Sequence, residues 1–119
     1  MGIFRRHKTA TFDTGHAGDD QLLTQLSKES DLGAPRHWVH YLYFADEADA
    51  RAAAAVVQAA GWELQRVDES AAGGPEWVVI AERNGAITSP EAVHDARVFF
   101  EDVARRWPGG DYDGWEASM

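Results

Sequence analysis

The chain has no cysteine, which removes disulfide staples, thiolate metal ligands and thiol nucleophiles from consideration. Basic residues are scarce. Eleven Lys and Arg face 20 Asp and Glu, a net charge of −9, so the long-range field repels phosphate backbones and anionic membranes and attracts basic partners. Long apolar runs are missing too: none approaches the length of a membrane span, and no charged head leads into an apolar segment with a small-residue cleavage site. Cytoplasmic residence is the expectation. Nor is there a Ser-His-Asp set, a Gly-rich phosphate loop or a zinc-type spacing, so no cofactor, metal or catalytic residue is expected. What remains is 119 residues, 45% hydrophobic and 26% charged, enough for one domain with a single core.

The chain is organised around Arg36 to Phe44, a run of β-branched and aromatic residues bracketed by Gly33-Ala34-Pro35 and Asp46-Glu47. Apolar character on both alternating faces predicts a central strand with neighbours on either side. Before it, residues 1 to 18 mix Thr, Gly and His without a period and read as a leader, partly ordered at best. Arg5, Arg6 and Lys8 lie in its first ten residues without an acid, leaving −12 on the rest of the chain. From Asp19-Asp20 onward, Leu22, Leu23 and Leu26 share a helical face, with acids in the first turn and a stop at Gly33 and Pro35.

After the central strand, Asp46 can cap a helix whose small face, Ala48, Ala52, Ala55, Val56 and Ala59, would lie close to a sheet before Gly61 ends it. Trp62 to Val67 alternates with charge on one side, as an edge strand does. Asp68 to Pro75, with Gly73-Gly74, reads as a loop. Trp77 to Ala81 is a second strongly apolar strand without polar alternation, and Asn84-Gly85 a turn. Ser89 and Pro90 open a helix striped by Val93, Ala96, Phe100, Val103 and Trp107. The acidic, aromatic segment Asp111 to Glu116 would be the last edge strand. The expected fold is α+β: a ferredoxin-like βαββαβ sandwich with an antiparallel sheet in the order 4-1-3-2 and an extra N-terminal helix, spanning residues 19 to 117. Its two most apolar strands then fall in the middle and its charged strands at the edges.

Tyr112-Asp113-Gly114-Trp115 after a helix and a Gly-Gly break, the His40 to Phe44 strand, the alanine-rich helix up to Gly61-Trp62 and the preceding Asp20-Gln21-Leu22-Leu23 helix together resemble the family of regulators of ribonuclease activity B, the ribonuclease E inhibitor B-like domains. The resemblance implies a small acidic domain of ferredoxin-like type that binds a ribonuclease E-type enzyme and lowers its activity without being an enzyme. The chain departs from the founding group in its basic leader and in ending four residues after Trp115 without a long acidic tail, so the resemblance bears on fold more directly than on partner.

Asp111, Asp113 and Glu116, with Asp95, Glu101 and Asp102, offer no fixed convergence for a metal or a catalytic carboxylate pair and read as an acidic docking edge. Asp113-Gly114 fits turn or bulge geometry. His37 and His40, three apart on a strand, point to opposite faces and cannot form a metal pair; His94 could join only one of them. Trp38, Tyr41, Tyr43, Trp77 and Trp115 are many rings for a sheet covered on one side, and without a basic stripe they suit protein contact better than base stacking. The partner-binding residues expected are Asp111, Tyr112, Asp113, Trp115 and Glu116, with Tyr112 and Trp115 as apolar anchors, joined by Tyr41 and Tyr43. The partner is a protein with a basic segment, without direct nucleic-acid or membrane contact, and homodimerisation stays open. The competing reading is a small-molecule-binding or enzymatic dimer using the open sheet face, the competing structure an open face covered by residues 1 to 32.

Overall fold

The computed structural model describes residues 12–71 and 73–118. Most of the expected leader, residues 1–11, lies outside them. Three helices and four strands follow in the order α1 (Ala17–Glu29), β1 (Arg36–Phe44), α2 (Glu47–Ala59), β2 (Glu63–Glu69), β3 (Trp77–Ala86), α3 (Pro90–Arg105) and β4 (Asp111–Ala117). The antiparallel sheet has the order β2-β3-β1-β4, the expected 4-1-3-2 read from the other end. Each helix begins on a side-chain cap: His16, Asp46 and Ser89 accept from the backbone N–H three residues on. Among the described residues no helix is long and apolar enough to cross a membrane.

Even-numbered residues of β1 face the helices. Trp38, His40, Leu42 and Phe44 are buried, and their β3 partners in register are Arg83, Ala81, Val79 and Trp77. α2 contributes Ala50, Ala53, Ala54 and Val57 to the core, whereas the anticipated stripe of Ala48, Ala52, Ala55 and Ala59 faces solvent. In so alanine-rich a helix almost any face looks apolar, and only the sheet decides which is buried. On α1, Leu23 and Leu26 are interior and Leu22 is exposed. The α3 stripe is buried at Val93, Ala96, Phe100 and Val103, with Trp107 packed at its edge.

Two connections differ from expectation. Asn84-Gly85 is no turn, because β3 runs on to Ala86 through an irregular register against β1. Trp62 precedes β2 and closes α2: its N–H reaches Val57 O and the Gly61 N–H reaches Gln58 O, a Schellman arrangement requiring the left-handed φ of +97° at Gly61. Gly61→Ala is therefore expected to cost about 1 kcal/mol, read as a lowered urea midpoint.

α1 is held by charge as well as packing. Arg36, 3% exposed, has no carboxylate partner among the described residues. Its guanidinium donates instead to Asp31 O and Ser30 Oγ at the end of α1, where the negative pole of the helix favours a cation, and to Ser118 O beyond β4. The helix consequently lies on the covered side of the sheet, and the other side is left open among the described residues.

Candidate functional site

The parity of β4 decides what each sheet face carries. Tyr41 pairs with Gly114 and Leu42 with Tyr112, so Asp113 is an extra residue, accommodated by a φ of +104° at Gly114. Tyr112 and Trp115, three apart, would point to opposite faces of a regular strand; the bulge turns both inward. Tyr112 is 9% and Trp115 7% exposed. The expectation that they are surface anchors is thus corrected. Trp38 is interior as well, and Trp77 lies on the covered face beneath Arg51, whose guanidinium carbon is 5.4 Å from the ring centroid.

Both rings instead complete an interior polar chain. The Asp19 carboxylate, on a residue only 1% exposed, accepts from Trp115 Nε1 at 2.9 Å and from Arg97 Nε and Nη2 at 2.6 and 3.0 Å. Arg97 also donates to Glu101 at 2.9 Å, and its guanidinium carbon lies 4.8 Å from the Tyr112 ring centroid. The Tyr112 hydroxyl and His40 Nδ1 share a 2.7 Å hydrogen bond. Phe100 stacks on His40 at 4.3 Å and Trp62 meets it edge-on at 4.7 Å. Burial, reinforced by the charges of Arg83 and Arg97, pushes the His40 imidazole down to about 2, so it is neutral. Burial also raises the Tyr112 phenol above its ordinary range. His40 is a core histidine with one partner, as expected, and its position among rings gives it no access to a substrate.

The same bulge puts Asp111 and Glu116 on the open face, opposite Tyr43 and Val39. Tyr41 and Tyr43, on the same face, are half-buried. The Tyr41 hydroxyl donates to the Glu116 carboxylate, and that hydrogen bond, ahead of desolvation, pushes its phenol up to about 12. Val78, Ile80 and Glu82 pair with Tyr43, Tyr41 and Val39, giving a centre of Val, Ile and Tyr. Glu82 is 2.5 Å from His37 Nε2, and Arg66 is paired with Asp68. At one end, Tyr43, Ser70, Ala71, Glu76, Asp111 and Asp113 line a shallow hollow of about 320 Å³. Of the seven expected residues, five therefore gather on one surface: Tyr41, Tyr43, Asp111, Asp113 and Glu116. Among the described residues no group of three or more His, Cys, Asp or Glu could hold a metal ion.

Residues 16–117 match the family described as Regulator of ribonuclease activity B. The chain belongs to that family. The match starts at the cap of α1 and ends with β4, so it takes in every helix and strand described here. No curated protein matches the chain. Within Tyr112-Asp113-Gly114-Trp115, which carries the resemblance, the two rings build the interior and Asp113-Gly114 form the bulge that shapes β4. Sequence reasoning missed Glu76, which shares a hollow with Asp111 and Asp113, and Glu82, which lies across β1 from Glu116; both follow only once the sheet order is known.

Proposed function

We propose that this member of the family of ribonuclease regulators is a non-catalytic binding protein whose open sheet face takes a basic segment of a ribonuclease, of the ribonuclease E type. The observation that carries the reading is the gathering of Asp111, Asp113, Glu116 and Glu76 around Tyr41 and Tyr43. Arginine and lysine side chains would meet carboxylates at the rim while their stems and any neighbouring apolar residue lie on the rings. Occupying a segment that otherwise holds RNA would lower nuclease activity by competition.

The test is titration of a fluorescent arginine-rich peptide from such a nuclease with wild type and with Asp111→Lys/Asp113→Lys/Glu116→Lys, by anisotropy. All three positions are exposed, so the variant should fold. Its affinity should drop by about tenfold or more, and wild-type affinity should fall steeply between about 50 and about 300 mM salt. Equal affinities, or a change with salt below about twofold, would sink the proposal. The reading as an enzymatic or small-molecule dimer at this face draws less support: His40 lies on the opposite side of the sheet, and His37 is tied to Glu82.

A further inference from the structure

Across the molecule, at the ends of α2 and α3, a second feature stands apart from the acidic face. Two adjoining hollows of about 380 and 370 Å³ open there and share Trp38, Arg83 and Ala92 in their walls. Arg83 lies at their common border. Its guanidinium carbon is 3.8 Å from the centroid of Trp62, and Nη2 donates to Ala60 O at 3.3 Å.

What is missing at Arg83 is a counter-charge. Among the described residues no carboxylate comes within ion-pair distance of it, although the chain holds nearly two acids for every base. The second shared wall residue, Trp38, is 2% exposed and turns part of its ring to both hollows, its indole Nε1 enclosed within the protein. A guanidinium without a counter-charge at the border of a largely apolar cleft favours an anionic acceptor there. The rest of the wall is apolar and aromatic: Ala92, Ala96, Phe99 and Trp62. Exposed Asp95 and Glu63 line one hollow each, which disfavours a ligand with more than one negative charge.

We propose that this cleft is a binding site for a small monocarboxylate with a flat apolar body, the carboxylate accepting from Arg83 and the body lying on Phe99 and Ala96 beside Trp38. Guanidinium and carboxylate match in a planar, bidentate geometry, and Trp62 beneath Arg83 holds the guanidinium plane in place.

The probe is sodium benzoate, titrated to about 20 mM into the full ¹⁵N-labelled chain at constant ionic strength, with the Trp38 indole N–H followed by NMR. Benzyl alcohol, of the same shape without the charge, is the control. A saturable shift of the Trp38 signal with benzoate, at least about fivefold weaker affinity for benzyl alcohol, and loss of saturation in Arg83→Met would support the site, at an affinity of about millimolar. Arg83→Gln serves the same purpose should the methionine variant be poorly folded. A drift that never saturates, an equal response to benzyl alcohol, or unchanged binding in both Arg83 variants would overturn it.

Discussion

Between pH 7 and pH 5 the folded state is expected to lose about 2 kcal/mol of stability through His40 alone. The imidazole sits among Trp38, Trp62, Phe100 and Tyr112, and a proton there would place a charge in an apolar interior beside the cations Arg83 and Arg97. In the native protein it takes up a proton only near pH 2; in the unfolded chain it does so near its ordinary 6.5. Below pH 6.5 the unfolded state thus binds the extra proton. Stability from this source is full above that pH and is lost as pH falls, at about 1.4 kcal/mol per unit, until the native group titrates as well. Urea unfolding followed by tryptophan fluorescence, for wild type and His40→Leu from pH 7 to pH 5, is the check. The variant should be less stable at pH 7, with the Tyr112 hydroxyl unpaired, and flatter in its pH dependence. Parallel pH curves for the two proteins would show that His40 is not held neutral.

Asp19→Asn is expected to destabilise by about 3 kcal/mol. The carboxylate of Asp19 receives three hydrogen bonds, two from a guanidinium 13% exposed and one from a buried indole. The amide keeps the shape but removes the charge and turns one acceptor into a donor facing other donors. Glu101 remains beside Arg97, but its side chain is 41% exposed and its attraction is weakened by water. The cost is for stranding a cation, so removing both charges should cost less than removing one. Asp19→Leu/Arg97→Met is expected to be more stable than Asp19→Leu, with a coupling above about 1 kcal/mol in the double-mutant cycle. Additive losses would mean that Asp19 and Arg97 act independently and that this pair does not fasten α1 to α3.

Element types and sheet order were readable in the sequence because local signals agreed with one another. Asp46 and Ser89 are caps, Gly61 stops α2, and the two most apolar strands fall in the middle of the sheet. The faces were harder. On α2, thirteen residues rich in alanine carry little directional information, and the sheet alone selects Ala50, Ala53, Ala54 and Val57. On β4, Asp113-Gly114 reads as a bulge in the sequence, but only its pairing with β1 fixes the alternation, and that pairing puts both Tyr112 and Trp115 in the core. Asp19 looked like an acid favouring a helix N-terminus; nothing local reveals that Arg97, 78 residues on, and Trp115, 96 residues on, donate to it. The acidic surface was legible as composition and became a place only through register, which brings Asp111 and Glu116 beside Tyr41 and Tyr43.

Bulges lie in both outer strands, at Gln65 in β2 and at Asp113 in β4. An outer strand with a regular ladder invites another chain to extend the sheet, and an extra residue breaks the hydrogen-bond spacing that such an addition needs. Growth of the sheet into stacked or fibrillar assemblies is thereby discouraged at both ends. Bulged edges favour contact across side chains over backbone pairing, so charge and shape weigh more at this sheet than strand addition.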